Sequence, residues 1–379
     1  MQTDTIMNTE PSVFTINKND IGFLLHRLQL QAIAESPLHA FADGNATATG
    51  TSAEELLQNN LFVAAMQVLA TPQCLIRVYA GGGTQPHGDL FICIQTDNKT
   101  VSATAVTPTQ DNNWAVIPFS ETKQCINWLL DFVAVENETA APAVLPETFT
   151  PEFLLYLLGA IDQYKRCGYE ALLQYRQEES PVFSLNAFAD NMQKAMKSAD
   201  LRWLLPSFVV LTPGFSELNL TANSTVYEQL IDADIMLPVE STAAEPLFTF
   251  GETGKELGEE FSKNWMQSAG IEVNNFSGAG VAVQHRAFLA ATLLTNHLFE
   301  IENTETGSSI KYASMSPLSL TALLEEWITK TVAEPATVKA EETTTQQAAA
   351  SVKKFCPQCG EPVRESTKFC AKCGKPLIA

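Results

Sequence analysis

With 379 residues, 45% of them hydrophobic, and a mean hydropathy close to zero, the chain is long enough for two globular units plus a tail and too apolar to be disordered throughout. Its formal net charge is −20, yet from Ser351 onward Lys353, Lys354, Arg364, Lys368, Lys372 and Lys375 face only Glu361 and Glu365, so the tail carries +4 and everything before it −24. A body this acidic repels nucleic acid and anionic lipid and suits basic, polar or apolar protein surfaces.

The opening residues have neither the basic stretch nor the apolar core of a secretory signal, and no run reaches the roughly 20 apolar residues of a spanning helix. A cytoplasmic protein without membrane insertion is expected. The sequons at Asn45, Asn98, Asn137, Asn219, Asn223 and Asn275 are then chance occurrences. A first α+β half is expected over 13–135. Ile21, Leu24, Leu25, Leu28 and Ile33 have helical spacing, with Asn19 or Asp20 as cap. Ser52 to Glu55 fits a capping box, opening one helix through Leu57, Leu61 and Leu69 to a stop before Pro72. Strands follow at 75–80, 90–95, 101–106 and 114–119, then a helix over 122–133.

Residues 136–152, with three prolines and no apolar periodicity, read as a linker. A second α+β half is expected over 153–332, opening with helices at 151–177, 185–198 and 226–231. A helix over 253–267 then leads to strands at 281–292, 297–302 and 309–314 and a helix over 318–328. Leu90-Phe91-Ile92-Cys93-Ile94 answers Leu298-Phe299-Glu300-Ile301-Glu302, and the closing helices match in the same way. The fold class is therefore α+β, built of two pseudo-repeated halves, each with helices, an antiparallel meander and a closing helix. Within the second half, Tyr227 to Ile231, Ile235 to Pro238 and Leu247 to Gly254 resemble the helix and wing of a winged helix. Low-complexity residues 333–353 read as a flexible linker, and 354–379 as a separate zinc ribbon.

The tail carries the clearest chemistry. Cys356-Pro357-Gln358-Cys359-Gly360 and Cys370-Ala371-Lys372-Cys373-Gly374 are two matched knuckles, each preceded by a phenylalanine, Phe355 and Phe369. Two C-x-x-C pairs supply four thiolates for a closed tetrahedral site, so Cys356, Cys359, Cys370 and Cys373 are expected to hold one structural zinc ion. The segment resembles the short zinc-ribbon tails of bacterial proteins. Cys74, Cys93, Cys125 and Cys167 lack regular spacing and read as small buried hydrophobes, as a reducing compartment would have it.

Other motifs carry less. Gly81-Gly82-Gly83-Thr84 lacks the Gly-Lys-Ser/Thr of a phosphate loop and reads as a hairpin. Gly278-Ala279-Gly280 lacks a third glycine, and no G-x-S-x-G is present. His26, His39, His87, His285 and His297 stand apart from one another and from carboxylates at ligand spacing. Glu259-Glu260 and Glu325-Glu326 read as solvated helix faces. No catalytic residues are assigned, and the chain is expected not to be an enzyme. Residues 181–267 hold 5 bases against 12 acids, which argues that a winged helix here binds protein rather than DNA.

The duplicated plan over 13–330, with Met66-Gln67-Val68-Leu69-Ala70-Thr71-Pro72 leading directly into a strand, resembles the ESX chaperones associated with type VII secretion. That resemblance implies a cytosolic, non-catalytic protein of two pseudo-symmetric halves that holds helical export substrates in solution; the zinc tail departs from it, and no functional residue carries over. The expected function is a protein-binding adaptor or secretion-chaperone-like protein, with protein partners and no nucleic acid. A transcription-associated regulator using the wing or the ribbon, and an enzyme of unrecognised type, are the alternatives.

Overall fold

The computed structural model describes residues 11–42, 52–82, 85–97, 100–109, 112–176, 181–213, 224–242, 245–277, 280–304 and 307–333 of the body, and 354–355 and 362–363 of the tail. The chain divides into two compact units, Met1–Ala336 and Thr337–Ala379.

Within the body, period-2 burial builds strands and the apolar faces of helices cover them. The first half runs β1 (Phe14–Asn17), α1 (Ile21–Leu28), α2 (Ser52–Leu56), α3 (Asn60–Ala70), β2 (Cys74–Gly82), β3 (Gln85–Asp97), β4 (Thr100–Pro108), β5 (Asn113–Phe119) and α4 (Thr122–Val133). The second opens with β6 (Thr148–Phe149) and α5 (Pro151–Leu173), then β7 (Phe183–Ser184), α6 (Leu185–Ala195), α7 (Leu204–Leu211), α8 (Ser224–Asp232), β8 (Met236–Val239), β9 (Leu247–Phe250) and α9 (Glu252–Lys263). It closes with β10 (Trp265–Ser277), β11 (Gly280–Thr292), β12 (Asn296–Thr304), β13 (Gly307–Met315) and α10 (Pro317–Ala333).

One ten-stranded antiparallel sheet unites the halves in the order β1-β5-β4-β3-β2-β10-β11-β12-β13-β6. In each half the opening strand pairs with the last strand of the meander, β1 with β5 and β6 with β13, so the two ends of the sheet are built alike. The halves meet at β2 and β10. There Ile76-Arg77-Val78 pairs antiparallel with Ile271-Glu272-Val273, Arg77 opposite Glu272. The fold is thus α+β with two pseudo-repeated halves, as the sequence pattern predicts.

Helices α4 and α10 cover one face of the sheet, where Ile76, Val78, Ile92, Leu129, Leu289 and Leu324 share a core. On the other face α1 to α3 cover the first half, with Leu75, Cys93 and Val106 against Phe62 and Leu69. Helices α5 to α9 cover the second half there, with Phe208 and Phe288 edge to face at 5.3 Å. The equivalent positions Leu75 and Gly270 show how the halves diverged. Leu75 fills its site with a side chain, whereas Gly270 leaves room for the last turn of α7, whose Leu211 carbonyl oxygen occupies the space a Cβ would need. Residues 136–147 run along β13: Ser314 Oγ donates to the Ala141 carbonyl at 2.6 Å, and the Tyr312 amide to that of Glu147 at 2.8 Å. Asn296 bonds both backbone groups of Val135, tying the exit of α4 to the second half.

Three expectations need correction. The helix expected over 253–267 ends at Lys263, and β10, which the sequence pattern missed, follows at once. Gly270 and Asn274 weaken β propensity, yet Ala269, Ile271 and Val273 alternate inward and tertiary pairing on both edges decides the outcome. The helix expected from Ser52 to Pro72 is two helices, because the Asn59 side chain accepts the amides of Leu61 and Phe62 at 3.0 and 3.2 Å and starts a new one. Helix α1 stops at Leu28, short of Ile33, where Gln29 turns left-handed with φ 55°.

Strands β7, β9 and β8 form a separate three-stranded sheet in that order. Helices α6, α7 and α8 lie between β7 and the β8–β9 hairpin in the chain.

Candidate binding site

In the tail the described residues are two short strands, β14 (Lys354–Phe355) and β15 (Pro362–Val363), paired Lys354 to Val363 and Phe355 to Pro362. In sequence they flank the first C-x-x-C. Cys356, Cys359, Cys370 and Cys373 themselves lie outside the described residues. By their chemistry, four thiols in two C-x-x-C pairs fit a zinc ion. Among the described residues no group of three or more His, Cys, Asp or Glu gathers at a metal-binding spacing.

The body cysteines are all free and buried. Burial pushes the Cys74 thiol up to about 12, and those of Cys93 and Cys125 up as well, which leaves them unreactive. The histidines were expected to lack carboxylate companions, but the fold supplies two. His285 Nδ1 lies 3.1 Å from Glu300 and its ring stacks on Trp327 at 4.7 Å. His297, 2% exposed, has Nε2 2.9 Å from Glu260 and Nδ1 3.0 Å from the Tyr312 hydroxyl. Glu260 therefore faces inward, while its neighbour Glu259 is exposed and pairs with Lys263 at 2.7 Å. Burial opposes ionisation of Glu260, yet hydrogen bonds from His297 and Thr292 hold its carboxyl below the ordinary range. The network is satisfied internally and clamps α9 to the sheet beside a cleft of about 610 Å³.

Helix α5 organises the most distinctive surface. Thr150 caps it, accepting the Phe153 amide at 3.2 Å, and Pro151 occupies its first turn. Its middle is embedded, and there Asp162 accepts the amides of Leu204 and Leu205 at 2.8 and 2.9 Å, capping α7 from outside. Burial pushes the Asp162 carboxyl up to about 7 against the pull of those amides and of Lys165 and Arg166. One turn on, Lys165 and Arg166 lie over the Trp203 ring, at 5.5 and 5.1 Å from its centroid, and Tyr169 meets the same ring edge-on at 6.1 Å. Beyond it the apolar face continues into solvent: Leu172 is 69% exposed, Leu173 80% and Tyr175 fully exposed. Sequence reading missed this constellation. Its signal was the charged group Asp162, Lys165 and Arg166 inside an otherwise apolar helix.

Of the five tryptophans, Trp114 and Trp327 are core, and Trp128, Trp203 and Trp265 are half-buried. The residues 81–88 lie in the β2–β3 hairpin, with 83–84 outside the described residues, as are 278–279 of the second glycine motif. No helix among the described residues is long and apolar enough to cross a membrane.

The zinc-ribbon domain family matches residues 355–377. No curated protein matches the chain. Among solved structures the chain is similar to the type VII secretion system chaperone EspG5 of Mycobacterium tuberculosis, determined in complex with a PE25-PPE41 dimer. The identity is 11%, the match covers 86% of this chain and 98% of that one, and the TM-score is 0.42.

Proposed function

We propose that the chain is a non-catalytic, cytoplasmic protein-binding adaptor whose body engages the main partner and whose ribbon, built on one structural zinc ion, contributes a secondary contact. The observation that carries this is the exposed end of α5. Tyr169, Leu172, Leu173 and Tyr175 project apolar surface that the body's own core does not use, the kind of rigid aromatic and aliphatic group that anchors interfaces. The narrower form of the reading, a chaperone for secreted substrates, rests on the layout of 13–330.

The test is affinity capture with the full chain, with a Leu172→Asp/Leu173→Asp variant, and with a chain ending at Ala333. Loss of partner in the surface variant and retention in the shortened chain is the expected result. If the shortened chain loses every partner and the surface variant none, the ribbon is the principal module and the reading fails. The order α5, β7, α6, α7, α8, β8, β9, with strands arranged β7-β9-β8, resembles a winged helix and favours a second reading, a transcription-associated regulator. The excess of acids over bases from 181 to 267 weighs against it, and sub-micromolar binding of duplex DNA in about 150 mM salt would reverse that judgement.

A further inference from the structure

A pocket of about 160 Å³ opens between α5, α6 and the start of α7, with Asp162, Gln163, Arg166, Asn191, Lys194 and Trp203 among its walls. Most of its polar groups are committed. Both Asp162 oxygens accept the α7 amides, Gln163 accepts from Asn191 at 3.0 Å, and its amide nitrogen donates to Cys167 Sγ at 3.4 Å. Arg166 differs. Its Nε is buried without an acceptor, and among the described residues no hydrogen bond or ion pair reaches the guanidinium, whose carbon lies 5.1 Å from the centroid of the Trp203 ring.

A donor buried in this way costs free energy until an acceptor arrives, and a native protein that retains one generally reserves it for water or a ligand. The Trp203 ring restrains the guanidinium, whose fork of donors matches a planar acceptor such as a carboxylate. Lys194 adds a second positive charge at the rim. From 165 to 202 the bases Lys165, Arg166, Arg176, Lys194, Lys197 and Arg202 slightly outnumber the acids Glu170, Glu178, Glu179, Asp190 and Asp200, whereas the body as a whole is strongly acidic. Asp162 on the same wall discriminates among anions, since it opposes a doubly charged phosphate more than a singly charged carboxylate. The volume admits an acidic side chain or a small organic acid and excludes a nucleotide.

We propose that this pocket binds a carboxylate, held bidentate by Arg166 with Lys194 at the entrance. A free organic acid and the acidic side chain of a bound polypeptide present the same group, so the inference stands apart from the protein-binding reading above.

The test titrates full-length, zinc-loaded protein carrying isotope-labelled arginine. The Nε–Hε resonance of Arg166 is identified by its loss in Arg166→Lys. The probes are sodium acetate, inorganic phosphate, and a blocked Glu-containing peptide with its Gln counterpart, at constant ionic strength with sodium chloride as reference. A saturable shift of that resonance with acetate or the Glu peptide, severalfold weaker binding in Lys194→Ala, and weaker binding of phosphate are expected. Saturation by acetate and the Glu peptide alike supports a free acid as a sufficient ligand, and saturation by the Glu peptide alone supports a polypeptide source. No saturable shift with any carboxylate, an equal response to chloride or the Gln peptide, or tighter binding of phosphate overturns the assignment. If Arg166→Lys folds poorly, the resonance is assigned by elimination, from single Arg→Lys variants at Arg27, Arg77, Arg176, Arg202, Arg286 and Arg364, and the wild-type titration then decides the matter.

Discussion

Arg77 and Glu272 stand opposite each other on β2 and β10, each at the centre of the same Ile-x-Val triplet, so a two-fold relation that exchanges the halves exchanges these two residues. Had the triplets stayed identical, like charges would meet at the middle of the sheet; here they are opposite. Glu272 is buried and also accepts Arg286 Nε at 2.8 Å, while the Arg77 guanidinium lies over Tyr79 and Phe91 at 5.4 and 5.2 Å. Glu272→Arg would gather three guanidinium groups at the seam and is expected to lower stability by about 3 kcal/mol, with Glu272→Gln costing about 1 kcal/mol. Urea midpoints of the two variants check this, and an unchanged midpoint for Glu272→Arg would show that the seam is not under electrostatic constraint.

The Gly270 position makes a second, purely steric prediction. Gly270→Ala places a methyl group where the Leu211 carbonyl oxygen sits, so α7 must lift from β10. A loss of about 3 kcal/mol is expected, comparable to a forced core rearrangement, and thermal unfolding measures it. A variant as stable as the parent would mean that the end of α7 moves freely on the sheet.

The central strands and closing helices were legible because their apolar residues recur at clear periods. The four strands β2 to β5 match the alternation of residues such as Ile76 and Val78, and α4 and α10 match a helical stripe. What was hidden depended on distant partners. Strand β10 contains Gly270 and Asn274 and is fixed by pairing with β2 and β11, neither adjacent information in a local window. Helix α7, Leu-Leu-Pro-Ser-Phe-Val-Val-Leu, is apolar on all sides and gave no periodicity to read. The zinc ligands were legible from spacing alone, whereas Asp162 and Arg166 on α5, Asn191 on α6 and Trp203 before α7 come from three separate segments and meet only in the fold.

Metal content should be one zinc per chain under reducing conditions, since two C-x-x-C pairs make one closed site. Cys356→Ser should release it and leave the body's melting temperature within about 1 °C, because a ribbon of this size is folded by its metal and the body has its own core. In the native holo protein a thiol reagent should find none of the eight cysteines quickly, and chelation should expose only the four of the tail. The body thiols are buried and held as thiols by that burial, so rapid labelling of more than four after chelation alone would show that the body opens when zinc leaves.

Asp162 makes the last prediction, a pH dependence with a definite sign. Its folded value of about 7 lies above the roughly 3.9 of an unfolded chain, so between these limits the native state holds the extra proton. Stability contributed by Asp162 is therefore fully present below about pH 4 and is lost as the pH rises through 7, the reverse of an ordinary paired carboxylate. Other acidic groups act in the usual direction, Glu260 among them, so the comparison must be with Asp162→Asn at each pH rather than with the parent's own profile. The asparagine keeps one acceptor for the α7 amides and carries no titration. The difference in unfolding free energy, parent minus variant, should fall by up to about 4 kcal/mol between pH 4 and pH 8, the linkage equivalent of a three-unit shift. Urea unfolding across that range measures it. A difference that stays flat would place Asp162 at an ordinary carboxylate value, with the amides of Leu204 and Leu205 and the charges of Lys165 and Arg166 outweighing its burial.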